Sequence, residues 1–382
     1  MNKEDITIVI GGDVYPKGKV ESHFVNGDAA EIFNDILPVF QNADYTVVNL
    51  ECPLADNETP ILKDGANLRA VTKTVNGLKQ SGIDAVNLSN NHIFDHGVEG
   101  IKSTLRTLFN NQIENFGAGK NLEEAAKAHI VTIKGKKIAF LGVAEHEFTI
   151  ASGTKYGANP LDVANNVRAI KALREQVDYI IMLYHGGKEH YAYPTPNQQN
   201  KSRFFIEEGV DVVIAQHSHV AGSYEEYLGK LIVYGQGNLI FEKLSRNYMT
   251  WFEGFIIELK LNTNNIDFNF IPIQQSKKQV GAKKMEQNEA EFMLNELNKR
   301  SMLIKNIDFV KEEWLKLCRQ DLALYKSRLH GHNRILRVLN RKTNFTKWFY
   351  PKWKRMMIRN VIECETHREG LETLWNNEDV DF

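Results

Sequence analysis

Between residue 5 and about residue 240, short apolar runs alternate with stretches of helical periodicity, and this alternation constrains the fold more than any other feature of the chain. The runs cover residues 6–10, 45–50, 85–88, 138–143, 179–184, 210–215 and 231–234. Helical patterns lie between them at 29–40, where Ile32, Ile36 and Phe40 share a face, and at 70–80, 98–110, 163–176 and 198–208. Strands separated by helices of this length need crossover connections, which place parallel strands in a sheet with helices on its faces. Two segments break the rhythm. Residues 130–143 hold Gly135 between two apolar runs, and residues 254–273 hold Asn262-Thr263-Asn264-Asn265 between two alternating runs. Both read as hairpins, so antiparallel strands complete a mixed sheet system.

The runs are closed by one kind of chemistry. The first leads into Gly11-Gly12-Asp13, the second into Asn49-Leu50-Glu51, and the third into Asn90-Asn91-His92. The run from 179 leads into His185-Gly186-Gly187, and the run from 210 into His217-Ser218-His219. Open α/β sheets bind ligands beyond the carboxyl ends of their strands. Carboxylate, amide and imidazole groups spread from residue 13 to residue 219 can therefore meet in space.

Each of these residues alone has an ordinary explanation. An Asp after a strand is commonly a cap or turn residue, and a buried His is commonly a hydrogen-bonded core group. Together, Asp13, Glu51, Asn91, His185, His217 and His219 supply oxygen and imidazole donors suited to Mn, Fe, Zn or Co, and more of them than one tetrahedral ion uses. With Glu51 as a bridge, two divalent ions would use the whole set. Ions about 3.5–4 Å apart can hold a hydroxide and clamp a phosphoryl group. His92 is then left to protonate the leaving group.

The blocks Gly12-Asp13, Asn49-Leu50-Glu51, Asn90-Asn91-His92 with Asp95 and Gly97, His185-Gly186-Gly187-Lys188-Glu189, His217-Ser218-His219-Val220 and Tyr234-Gly235-Gln236-Gly237-Asn238 follow in one order. That succession, over about residues 5–275, resembles the CapA family of bacterial capsule and poly-γ-glutamate biosynthesis proteins, itself similar to the calcineurin-like metallophosphoesterases. The resemblance implies an α/β fold, a four-layer α/β/β/α metallophosphoesterase-like sandwich. It implies Asp13 and His219 at a first ion, and Asn91, His185 and His217 at a second. Glu51 stands where that pattern has its bridging aspartate, and His92 where it has a catalytic histidine. Glu189 and Asn238 match the family without a role that chemistry assigns. The phosphoesterase pattern has a His where this chain has Tyr15, so the first site keeps Asp13, Glu51 and His219 unless Asn49 or a water completes it; one ion is the alternative to two. A Trp common in the family is Gly186 here. The N-terminal anchor and export signal of many members are not read in this chain.

Composition narrows the setting. The formal net charge is -1, which gives no global pull toward nucleic acid or membrane. Three scattered cysteines, Cys52, Cys318 and Cys364, make no disulfide framework and fit a reducing compartment. The apolar stretch at 6–10 is too short for a signal peptide, and no stretch approaches the roughly 18 apolar residues of a membrane span. A cytoplasmic protein is the expectation.

Beyond residue 282 the β-rich runs stop, which divides the chain into a domain of residues 1–282 and a helical, basic-aromatic region of residues 283–382. Residues 326–362 contain no Asp or Glu and carry Phe345, Trp348, Phe349, Tyr350 and Trp353. Either this is a helical appendage with solvated Lys and Arg, or residues 326–359 contact acidic lipid or anionic polymer peripherally, at the inner membrane face. No recognised nucleic-acid module is visible in the sequence. The functional expectation is a metal-dependent hydrolase of capsule or poly-γ-glutamate-type polymer production. In it a metal-bound hydroxide attacks a phosphoester, amide or ester, and His92 is the general acid. The alternative is a non-catalytic metal-binding assembly or export component of the capsule-synthesis machinery.

Overall fold

Ile6, Ile8 and Ile10 point to one face of the first strand and Val9 to the other, and this period of two decides which layers the strand separates. The computed structural model describes residues 5–242, 249–262, 265–276, 280–329, 333–349 and 351–363. Its strands are β1 (Ile6–Tyr15), β2 (Tyr45–Leu50), β3 (Ala85–Asn87), β4 (Glu114–Phe116), β5 (Ala118–Gly119), β6 (His129–Ile133), β7 (Lys136–Ala144) and β8 (Gly157–Ala158). They continue as β9 (Tyr179–His185), β10 (Val212–Gln216), β11 (Tyr224–Tyr227), β12 (Lys230–Val233), β13 (Asn238–Phe241), β14 (Glu253–Leu261), β15 (Ile266–Gln275) and β16 (Ala282–Lys284).

Two large sheets result. One runs β16-β15-β14-β1-β2-β3-β4, with β13 also pairing β1, and the other runs β11-β12-β10-β9-β7-β6. Strands β1 to β4 are mutually parallel, as are β7, β9, β10 and β12, while the β14–β15 and β6–β7 hairpins are antiparallel. Lys134 (φ 47°) and Gly135 (φ 79°) make the tight β6–β7 turn, since both central residues of such a turn need positive φ. Turn residues 263–264 of the second hairpin lie outside the described residues.

The inner faces of the sheets meet in one core: Ile8, Ile10 and Val47 from the first against Phe140, Ile181, Leu183 and Ile214 from the second. On the outer face of the first sheet, Val9, Val48 and Val86 pack against Phe24, Ile32, Leu78 and Ile101 from helices. On the outer face of the second, Leu141, Met182 and Val213 pack against Ile170, Phe205 and Ile206. The fold is thus the four-layer α/β/β/α sandwich expected of a metallophosphoesterase-like protein, followed by a C-terminal helical region.

Local elements differ from the sequence pattern in several places. The helix expected over 29–40 is broken at Asn34 (φ 43°, ψ -123°), whose side-chain amide donates to the carbonyls of Glu31 and Ala282 and ties the bend to β16. The helix expected over 70–80 is a 3-10 turn and then Val75–Gln80, because the Asp56 carboxylate holds the Thr72 amide and hydroxyl. The short strand β13 has no counterpart among the sequence runs. The first compact unit also continues past residue 282 to Lys311, since the helix Gln287–Leu303 buries Met293 and Leu297 in the inter-sheet core. The second unit, Glu312–Phe382, carries the helices Leu322–Leu329, Arg334–Thr343, Thr346–Phe349 and Lys352–Glu363.

Candidate metal centre

The carboxyl ends of β1, β2, β9 and β10 come together across the two sheets, and the polar residues that close these strands line the resulting pit. Strand β1 is carried past its apolar run by its pairing with β13, which sets Asp13 opposite Asn238. Gly12 permits this crossing, because a Cβ there would collide with the Gly237 carbonyl oxygen. The β1–β2 register shifts between Ile10 and Asp13. Such an irregularity re-aims the side chains that follow it.

The donors form two groups that share one residue. Ligand atoms of Asp13, Glu51 and His219 lie within 4.8 Å of one another, as do those of Glu51, His185 and His217. All five are buried. Asn91 joins the second group, with its Oδ1 3.0 Å from His185 Nε2. Glu51 Oε1 is 3.7 Å from both His185 Nε2 and His219 Nε2. The structure therefore gathers all six expected ligands. Tyr15 is not among them: its ring lies 5.0 Å from that of Phe241 and packs on the outer core.

Supporting residues fix these donors. The Asn49 amide donates to Asp13 Oδ1 at 2.8 Å and the His217 amide to Asp13 Oδ2 at 3.1 Å. Asn87 and Asn90 donate in turn to Asn49 Oδ1 at 3.2 and 3.3 Å. Asn238 Oδ1 lies 2.9 Å from His219 Nδ1, and its own amide donates to the Trp251 carbonyl at 3.0 Å. The accepting Asn238 oxygen puts the His219 proton on Nδ1 and leaves Nε2 with its lone pair toward Glu51, the way a ligating His is usually oriented. Trp251 and Phe241 wall this side, with rings 4.6 and 5.0 Å from that of His219. His217 and His219 adopt positive φ, 91° and 56°, a strained backbone found mostly at functional sites.

His92 stands beside this set. Its Nδ1 is 2.5 Å from Asp95 Oδ2, and Lys63 Nζ is 2.5 Å from Asp95 Oδ1 and 3.2 Å from the Asn91 carbonyl. The Asn90 side chain receives the His92 amide at 3.1 Å, an Asx turn that the Asn-Asn-His spelling encodes. Glu189 matched a family block but sits at the rim, 47% exposed at its side chain.

The electrostatics are those of a pit built for cations. Both Glu51 carboxylate oxygens are buried with no hydrogen-bond partner among the described residues. Burial, reinforced by the Asp13 charge, pushes Glu51 well above the ordinary carboxylate range, and burial raises Asp13 to about 6. Burial pushes His219 down to about 3 and His185 well below its ordinary value, so both imidazoles are neutral and able to ligate. Two desolvated carboxyls facing neutral imidazoles, one with both oxygens orphaned, make a donor set that fits one or two divalent ions. Cys52 is fully buried and burial pushes its thiol well up, so it is an inert core group.

The profile of the family described as bacterial capsule synthesis protein PGA_cap matches residues 7–243. The chain belongs to that family. All six candidate ligands, His92 and Asn238 fall within the PGA_cap match. Similar proteins include the capsule biosynthesis protein CapA of Bacillus anthracis, 27% identical over 250 residues, which are 63% of this chain and 61% of that protein. The PGA biosynthesis protein CapA of Bacillus subtilis strain 168 is 29% identical over 241 residues, covering 61% of this chain and 62% of that one. A probable polyglutamine synthesis accessory protein of Mycobacterium tuberculosis is 26% identical over 297 residues, 70% and 76% of the respective chains. The chain thus spans about three fifths of the length of the two Bacillus relatives. Among solved structures, a hypothetical protein from Thermus thermophilus superposes with a TM-score of 0.45 at 12% identity, covering 70% of this chain and 99% of that one.

Sequence patterning did not single out Lys63 or Trp251. Lys63 lies in an irregular loop, and Trp251 follows residues 243–248, which lie outside the described residues; neither position carries a periodic signal.

Proposed function

We propose that the chain is a metal-dependent hydrolase acting in capsule or poly-γ-glutamate-type polymer production, on a phosphoester or amide bond of an anionic substrate. The carrying observation is Glu51, whose two buried, unpartnered oxygens lie between two histidine-containing donor groups. Asp13, Glu51 and His219 would hold one divalent ion, and Glu51, Asn91, His185 and His217 a second. Bound ions would supply Lewis acidity toward a phosphoryl or carbonyl oxygen and lower the pKa of a coordinated water. Asn49 and the His217 amide hold Asp13 ionised and aimed, and Asn238 holds the His219 tautomer. His92, with Nδ1 engaged by Asp95, presents Nε2 as the proton donor to the leaving group. Trp251 and Phe241 exclude water from one wall.

The test joins metal analysis of the purified protein to a screen of phosphoester and amide substrates. Stoichiometric Mn, Fe, Zn or Co together with turnover supports the reading, and absence of any transition metal sinks it. A second reading, a non-catalytic metal-binding component, is supported by the accessory role in the name of the Mycobacterium relative. His92→Ala separates the two. A hydrolase keeps its metal and loses about 10²–10⁴-fold in turnover, whereas an assembly component keeps its capsule function.

A further inference from the structure

The helix Arg334–Thr343 in the second compact unit leaves its apolar arc exposed. At about 100° per residue, Ile335, Leu336, Val338 and Leu339 share one arc, and Arg334, Arg337 and Arg341 share another. A helix docked on a core buries its apolar arc. Here the fully buried residue is Asn340. Its amide donates to Ser327 Oγ at 3.0 Å, and its Oδ1 accepts from the Thr346 hydroxyl at 2.7 Å and the Thr346 amide at 3.2 Å. The apolar arc faces outward, with Ile335 78% and Val338 48% exposed. The next short helix leaves Trp348 89% and Phe349 59% exposed, and Met356 and Met357 on Lys352–Glu363 are mostly exposed as well. A helix that buries a single asparagine and leaves its aliphatic arc exposed, beside exposed aromatic and methionine side chains, presents an apolar surface that fits an apolar surrounding.

Charge selects the surrounding. Residues 326–362 hold eleven Lys and Arg and no Asp or Glu. The cores of protein–protein interfaces are depleted in charge, Lys in particular. Protein–DNA interfaces are polar and strongly positive, and match the basic part of this surface more than its broad apolar part. A bilayer with acidic headgroups accepts both halves, apolar side chains at the acyl boundary and cations at the phosphates. Lys342 falls within the apolar arc, and its long stem lets the ammonium reach the headgroups from there.

We propose that this unit is a peripheral anchor for anionic membrane surfaces, entering through Ile335, Leu339, Trp348 and Phe349. Tyr350 lies outside the described residues. The proposal needs no catalytic activity at the metal centre.

The experiment is sedimentation of the full chain with vesicles of phosphatidylcholine alone or with about one third phosphatidylglycerol. The protein is expected to pellet with the acidic vesicles only, and to be released by salt near 0.5 M, where charge is screened within about 4 Å. Arg341→Gln with Lys342→Gln is expected to weaken partitioning about 30-fold, roughly fivefold per removed charge. Ile335→Ser with Trp348→Ser is expected to abolish it. All four positions are exposed, so circular dichroism should be unchanged, and the quenching of Trp348 by a lipid-phase quencher gives an independent reading. Equal binding to neutral vesicles, or binding unaffected by either double substitution, overturns the proposal. Pelleting with polyphosphate or DNA but with neither vesicle also overturns it, in favour of a soluble polyanion.

Discussion

Asp95 holds His92 Nδ1 at 2.5 Å with one carboxylate oxygen and Lys63 Nζ at 2.5 Å with the other. The Leu68 amide donates to the same carboxylate at 2.7 Å, so a fully buried acid is satisfied on both oxygens. The imidazole is thereby fixed in one tautomer and one orientation beside Asn91.

Asp95→Asn should slow catalysis by positioning and charge together. Burial lowers the His92 pKa, and the Asp95 carboxylate pulls it back up. Without that charge His92 loses its proton at lower pH. The alkaline limb of the kcat profile should move toward acid, with kcat down about 10–100-fold, KM little changed and metal content intact. A profile that keeps its limb in place would remove Asp95 from this role.

Glu51→Gln should trade metal for stability. In the metal-free protein the two orphaned oxygens are a buried, unsatisfied carboxyl group. The neutral amide should stabilise the chelated protein by about 1–3 kcal/mol. The same variant should lose the rise in Tm that Mn²⁺ gives the parent. Differential scanning calorimetry with chelator and with Mn²⁺ reads both effects.

The stabilisation by metal should shrink between pH 7 and pH 5. Asp13 titrates at about 6 when folded, against an ordinary 3.8, so the chelated fold is relieved of a desolvated charge as pH falls through 6. His219, held near 3, and His185, also lowered, act oppositely: the unfolded chain takes up their protons below about 6.5, and stability is lost as pH falls. These effects oppose each other in the chelated protein, whose Tm should vary little. In the loaded protein protons compete with the ion for Asp13, so the Tm gained on adding Mn²⁺ should be smaller at pH 5. An equal gain at both values would place the ion elsewhere.

Gly12→Ala should destabilise the fold by about 3 kcal/mol or more, because the new Cβ meets the Gly237 backbone oxygen and neither chain can step aside. Chemical denaturation measures it. A Tm within a degree or two of the parent would show that β13 does not cross β1 so closely.

Much of the sandwich was legible because its cause is local. Alternating Ile6, Ile8, Val9 and Ile10 must present two faces, and a run of that kind between helical stretches implies a layered sheet. The break at Asn34 was illegible, since Ile32, Ile36 and Phe40 keep a helical period while a bond to the Ala282 carbonyl overrides it. Asn238 shows the same limit: its sequence neighbours give no hint that β13 lies beside β1 and aims the Asn238 side-chain oxygen at His219.

By itself the sequence determined the donor chemistry and its place at strand ends, because residue identity and strand period are properties of short stretches. Only the tertiary structure decided that Lys63 and Asp95 brace His92, that Trp251 walls His219, and that Asn340 rather than Ile335 is buried in its helix. Each of those depends on which distant surfaces come into contact, and that is settled by the packing of whole layers.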